Sequence, residues 1–223
     1  MRSPKKFAFI CLALFATGLT VLPNERPALA AAPLLSSSLP ADNATGVDIN
    51  FDLTLTFDQA VTAGTGTILL KTSAGATAES WDIATTSDIS GYGTTVITLN
   101  RSVALSANTS YYFTIPSGGF KNSSNENYTG FSSTTALNFT TLAVPFCTVT
   151  ITGTSRPGNT LTANPSCSNS PTSYTYQWKR AGSDISGQTN SSYEVQFDDV
   201  GSSITVSIRG LNSSGLGSTA TSS

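Results

Sequence analysis

Residues 48–57 read DINFDLTLTF, with Ile49, Phe51, Leu53, Leu55 and Phe57 on every second position. Asp48, Asn50, Asp52, Thr54 and Thr56 fill the positions between them. Successive side chains of an extended chain point to opposite faces, so this pattern predicts a half-buried antiparallel strand, apolar toward a core and polar toward water. The same alternation recurs in TILLK (67–71), TVITL (95–99), YYFTI (111–115) and ALNFTTL (136–142), with turn-forming TAGTG, SAGA, SGYG and SAN between them. AESWDIA alternates too, which would bury Trp81 in a strand. No stretch beyond residue 30 shows a helical period, and short strands at this spacing point to an all-β sandwich.

LAVPF (142–146) interrupts the series, because Pro145 cannot donate to a ladder and stiffens the chain. A second set follows: CTVTITG (147–153), TLTA (160–163), YTYQW (174–178), YEVQF (193–197) and ITVSI (204–208). The chain therefore divides into a first domain over 31–142, a linker over 143–146 and a second domain over 147–223. Val149, Trp178, Val206 and Ile208 are expected to point into the second core.

The first thirty residues read as an export signal. Arg2, Lys5 and Lys6 form a basic start, an apolar run extends from Phe7 to about Leu22, and Ala28-Leu29-Ala30 offers small residues where a signal peptidase reads. Cleavage is expected between Ala30 and Ala31. The run is shorter than the ~20 residues of a usual membrane span; an uncleaved N-terminal anchor is the alternative. No second apolar segment follows, so no membrane span is expected after cleavage. Cys11, preceded by AFI, does not fit a lipid-attachment site.

Loss of the signal takes away four cationic residues and one acidic one, moving the net charge from −2 to −5. So acidic a chain has no basic stripe for phosphates, which argues against a nucleic-acid partner. Cys147 and Cys167 are then the remaining cysteines, and an even pair in an exported chain suggests a disulfide. RPGN (156–159) suits a type II β-turn, with Pro157 and Gly158 at its centre. A reversal there carries Cys147 opposite Cys167 or within one register step. Two free thiols facing each other remain the alternative.

Chemistry is limited by what is missing. The sequence has no histidine, which removes Ser-His-Asp and Cys-His arrangements and His-containing zinc sites. Only carboxylates could do acid–base work near neutral pH. Asp198 and Asp199 are neighbours on an extended segment and point apart, so they do not form a glycosidase pair. Asp199 is expected to fix the turn before ITVSI. No catalytic residue, cofactor or metal is assigned.

PSGGFKNSSNENYTGF (116–131) raises a different possibility, amides and rings set out for a ligand. Glu126 is its one carboxylate, too few for calcium. Gly118, Gly119 and the Asn side chains fit a long turn, with Phe120 and Phe131 tucked beneath it. Asp48, Asn50 and Asp52 read as the wet side of a sheet. The rival function is glycan binding, with Trp81, Tyr92 and Tyr128 as candidate ring platforms.

Four stretches in order carry a family resemblance: SSLPADNATGVDINFDLTLTFDQAV (37–61), AGTGTILLK (63–71), ALSANTSYYFTIPSGGF (104–120) and TTALNFTT (134–141). Over about 34–142 the chain resembles the SbsA-type bacterial immunoglobulin-like domain. GNTLTA (158–163), YTYQWKRAGSDISGQTNSSYEV (174–195) and DDVGSSITVSIRGLNSSG (198–215) resemble a second bacterial immunoglobulin-like repeat, with Trp178 as its core tryptophan. Cysteines joining the first two strands depart from the antibody pattern. The resemblance implies two tandem immunoglobulin-like antiparallel sandwiches. It also implies a non-catalytic, secreted or cell-surface module, a spacer or adhesive element, with cell-surface polysaccharide or other surface proteins as candidate partners.

Overall fold

A computed structural model describes residues 30–223. The expected signal segment, residues 1–29, lies outside the described residues. Strands dominate, joined by tight turns, and the one helical element among the described residues is a 3-10 turn at Phe197–Asp199.

The first group of strands runs β1 (Leu35–Leu39), β2 (Ala44–Val47), β3 (Leu53–Ala63), β4 (Thr67–Thr72), β5 (Thr77–Asp82), β6 (Ile89–Ser90), β7 (Thr94–Leu99), β8 (Ser110–Thr114), β9 (Phe120–Lys121) and β10 (Asn138–Thr141). One sheet is ordered β1-β3-β7-β6, with β9 also on β3; the other is β2-β10-β8-β4-β5. All pairs are antiparallel except β10 with β2. Leu53, Leu55 and Phe57 from β3 meet Ile68 and Leu70 from β4, Phe113 from β8 and Phe139 from β10 in one core. The period-two pattern thus acts as the sequence implies: apolar positions of facing sheets close over each other and leave water.

The first five residues of the opening motif differ from expectation. The strand starts at Leu53, and 48–52 is loop. Ile49 and Phe51 still pack against the core, but their carbonyls accept hydrogen bonds from Arg101 Nη1 at 3.0 and 3.1 Å. A guanidinium replaces the neighbouring strand, so no ladder forms. Asp48 Oδ1 caps its own turn by accepting from the Asn50 amide at 2.7 Å, and Asp52 Oδ1 accepts from the Arg101 amide at 3.1 Å. The expected polar row of Asp48, Asn50 and Asp52 is therefore not a strand face.

The second group comprises β11 (Cys147–Gly153), β12 (Thr160–Cys167), β13 (Ser173–Arg180), β14 (Ser183–Asp184), β15 (Ser192–Glu194), β16 (Ile204–Asn212), β17 (Gly215–Leu216) and β18 (Ala220–Thr221). Its sheets are β11-β12-β15 and β14-β13-β16-β17, with β18 also on β16. A separate, smaller core gathers Val149, Leu161, Trp178, Tyr193, Val195, Val206 and Ile208. Trp178 is fully buried, stacks on Tyr193 with ring centroids 5.5 Å apart, and donates its Nε1–H to the Asn190 carbonyl at 2.9 Å.

RPGN closes the β11–β12 hairpin side as expected. The Asn159 amide donates to the Arg156 carbonyl at 3.0 Å, and Gly158 takes φ +81°, a conformation that favours glycine. Cys147 and Cys167 are direct register partners and form a disulfide.

Candidate functional site

The three rings named as glycan platforms are placed inside the first sandwich. Trp81 is 2% exposed on β5 and donates its Nε1–H to the Asn100 carbonyl at 2.9 Å. Tyr128 is 5% exposed and meets Phe57 edge-on, with centroids 5.2 Å apart. Tyr92 is half-buried against the same core and donates its hydroxyl to the Ile83 carbonyl at 3.1 Å. Burial pushes the hydroxyls of Tyr92 and Tyr128 above the usual tyrosine pKa. A sugar platform needs a ring face open to solvent; Trp81 and Tyr128 are instead core residues, and Tyr92 packs partly buried against the same core.

The 116–131 stretch is organised by Asn122, which is 4% exposed. Its Oδ1 accepts from the amides of Ser124 and Glu126, at 3.0 and 2.9 Å. Its Nδ2 donates to the Ala31 carbonyl at 2.8 Å and to Gln59 Oε1 at 3.2 Å. One amide thus shapes the loop and ties it to the start of the first domain. Gly64 shows why the neighbouring backbone is glycine: its amide donates to the Gly119 carbonyl at 2.8 Å, and a Cβ there would sit 1.8 Å from the Gly118 oxygen. Phe120 is fully buried and Phe131 partly so. Among the described residues no group of three or more Asp, Glu or Cys is placed to hold a cation.

The most constrained polar arrangement lies where the two sandwiches join. Leu142 belongs to the first: its amide donates to the Val47 carbonyl at 2.8 Å, and its carbonyl accepts from the Asn108 amide at 3.2 Å. The next two carbonyls belong to the second. Ala143 O accepts from Asn212 Nδ2 at 2.8 Å, and Val144 O from Asn169 Nδ2 at 2.9 Å. Asn212, 5% exposed, also donates to the Asn169 carbonyl at 2.8 Å, so the two clamps are coupled. Pro145 then packs on Gly210 and Gly217, where added Cβ atoms would meet it at 3.0 and 2.0 Å. Cys147 follows immediately, crosslinked to Cys167, and the Ser168 amide donates to the Phe146 carbonyl at 2.9 Å. No residue between Leu142 and Cys147 is left without an anchor on one side or the other.

Residues 30–141 match the family described as bacterial Ig-like domain. The chain belongs to the bacterial Ig-like domain family. Among curated proteins none matches it. Its similarities to solved structures include CopC from Methylosinus trichosporium OB3b, at 14% identity and a TM-score of 0.35, covering 49% of this chain and 92% of that one. The FN1-FN3 domains of chicken CNTN1 share 10% identity at a TM-score of 0.33, over 80% of this chain and 62% of that one. The fibronectin(III)-like modules of Clostridium thermocellum CbhA share 10% identity at a TM-score of 0.26, over 85% and 92%.

One further polar cluster sits inside this bacterial Ig-like protein, and it is structural. Asp199, 4% exposed, accepts from Arg180 Nε at 2.5 Å, from the Tyr193 hydroxyl at 2.7 Å and from the Gln196 amide at 2.7 Å. Burial pushes its carboxyl upward, but the hydrogen bonds from Gln196, Tyr193 and Arg180 outweigh it and hold the pKa below the usual range. Asp199 thereby fixes the turn ahead of β16. Asp198 is exposed and takes no part.

Proposed function

We propose that this chain is a non-catalytic module of the cell surface or extracellular space, which holds a set separation between whatever is attached to its two sandwiches. The joint carries this reading. Two carbonyls held by Asn212 and Asn169, a proline seated on two glycines, and a crosslink immediately after it leave the connection little backbone freedom. A flexible tether would instead have polar, unpinned residues there.

In this reading the first sandwich is of the SbsA type and the second is a further bacterial immunoglobulin-like repeat, after a signal peptide cleaved behind Ala30. Export is supported by the disulfide, which persists in oxidising compartments. No turnover is assigned to it.

Spin labels at Ser87→Cys and Ser191→Cys, one in each sandwich, test the joint. The expected distance distribution is narrow in the parent protein and broadens when Asn212→Ala and Asn169→Ala are combined. A broad distribution in the parent, or a narrow one that survives loss of both amides, would overturn the spacer reading.

A further inference from the structure

Tyr112 is out of place for a buried aromatic. Its neighbours Tyr111 and Phe113 belong to the first core, whereas Tyr112 lies on the opposite, outer face of the β2-β10-β8-β4-β5 sheet. There it stands in register with Lys71 on β4 and Asn138 on β10. It is nevertheless 8% exposed, and it lines an open cleft of about 340 Å³. Ser73, Ser110, Thr134, Asn43 and Asn138 complete the part of the wall that matters.

The chemistry of that wall is specific. None of its lining residues carries a charge, so it offers no charged partner to a phosphate, a sulfate or a carboxylate. Asn138 is held in one orientation, because its Nδ2 donates to Asp42 Oδ1 at 3.0 Å and to Asn43 Oδ1 at 3.2 Å. Its backbone amide donates to the same Asp42 oxygen at 2.9 Å. The side-chain carbonyl is thereby left as an oriented acceptor in a wall that Tyr112, Ser73 and Thr134 also line. A second hollow of about 280 Å³ is lined by residues 35–38, 41–42 and 136–137, sequence neighbours of this wall.

We infer that this cleft binds a neutral carbohydrate, with Asn138 as an oriented acceptor and Tyr112, Ser73 and Thr134 supplying hydroxyls that can donate or accept. A polyol matches such a wall, since each ring presents several hydroxyls of the same dual kind. The size suits a small ligand. The Tyr112 ring is too covered to stack broadly, so recognition is by hydrogen bonding, and weak affinity follows. The inference does not rest on the spacer reading: a stiff joint and an empty cleft, or the reverse, are separate outcomes of separate experiments.

The test is a nuclear magnetic resonance titration of the isotope-labelled protein with neutral tetrasaccharides of glucose, mannose, xylose or N-acetylglucosamine. Concentrations up to about 10 mM would saturate a site with a Kd of about 1 mM. Saturable shifts at residues 110–113 and 134–138 are expected with at least one sugar. Tyr112→Phe combined with Thr134→Val keeps ring and shape and should weaken binding about tenfold. Ser73→Ala, a change outside the sheet core, should weaken it about threefold with an unchanged unfolding midpoint, which keeps the test valid if the double variant misfolds. The inference is overturned by absence of saturable shifts with all four sugars, by shifts mapping to another face, or by affinity indifferent to both sets of substitutions.

Discussion

The two sandwiches solve one problem by different means. The first buries nineteen apolar side chains in its core, many of them aromatic: Phe51 and Tyr111 both pack on Phe139, and Phe57 on Phe120 and Tyr128. The second buries nine, of which Trp178 and Tyr193 are the large ones. Small domains bury a lower fraction of their surface and are correspondingly marginal. The second sandwich adds what the first lacks, a disulfide across β11 and β12, and it has a buried carboxylate in Asp199 that gathers an arginine, a tyrosine and a backbone amide. The first uses its own buried guanidinium differently. Arg101, paired with Glu79 at 3.3 Å and over the Phe51 ring at 5.1 Å, ties loops to a core that is already large.

The sharpest way to break this contrast is to remove one tryptophan at a time, since each sandwich has one. Trp178→Ala and Trp81→Ala should each cost about 3–5 kcal/mol. The expected outcomes differ: the second sandwich unfolds while the first persists, whereas the first, with its broader core, survives loss of Trp81 with a lowered midpoint. The tryptophan left in each variant reports by fluorescence on the unsubstituted sandwich, and circular dichroism on thermal unfolding reads the amplitude and midpoint of the other. Equal survival in both would show that core size does not set the difference.

Reduction of the disulfide comes next. Opening a crosslink between residues separated by 20 positions should cost the second sandwich about 3 kcal/mol. The Trp81 signal should not move, and denaturant curves with and without reductant check both.

Acid probes the Asp199 cluster. Its carboxyl titrates lower in the folded chain than in the unfolded one. Its contribution is therefore complete above the unfolded value of about 3.9 and is lost as pH falls through the lower folded value. Asp199→Asn should remove that segment of the pH-stability curve from the second sandwich, at a cost near neutral pH of about 2 kcal/mol. A variant with the parent's acid profile would show that other carboxylates govern it.

The smallest expected effect on stability belongs to Asn212→Ala, about 1 kcal/mol. Its larger effect is on proteolysis, with faster cleavage expected between Leu142 and Cys147. Comparing nicking rates of parent and variant separates a loosened joint from a destabilised sandwich.

Much of this was legible along the chain. Alternation placed Leu53, Leu55 and Phe57 in one core and Val149, Trp178 and Val206 in another, because side-chain direction in a strand depends only on local backbone geometry. The turn at Pro157-Gly158 and the facing cysteines were legible for the same reason: a tight reversal fixes which residues oppose each other. The candidate site was less so. Trp81, Tyr92 and Tyr128 sit among turn-formers and look exposed, yet Trp81 and Tyr128 are buried in the core and Tyr92 packs against it. The outward Tyr112 is one register step from two core aromatics, and the run YYF hides that difference.

Sequence alone determined that apolar side chains two residues apart must be withdrawn from water on one face, and hence that the described chain is built of strands. It also determined that the chemistry is carried by hydroxyls, amides and a few carboxylates, because no histidine is present. Tertiary structure decided what each long-range polar group holds. Arg101 reaching the carbonyls of Ile49 and Phe51, Asn122 reaching Ala31, and Asn212 reaching Ala143 are all pairings across many residues. A hydrogen bond needs both partners at about 3 Å with the right angle, and only the packed sheets bring such distant groups that close.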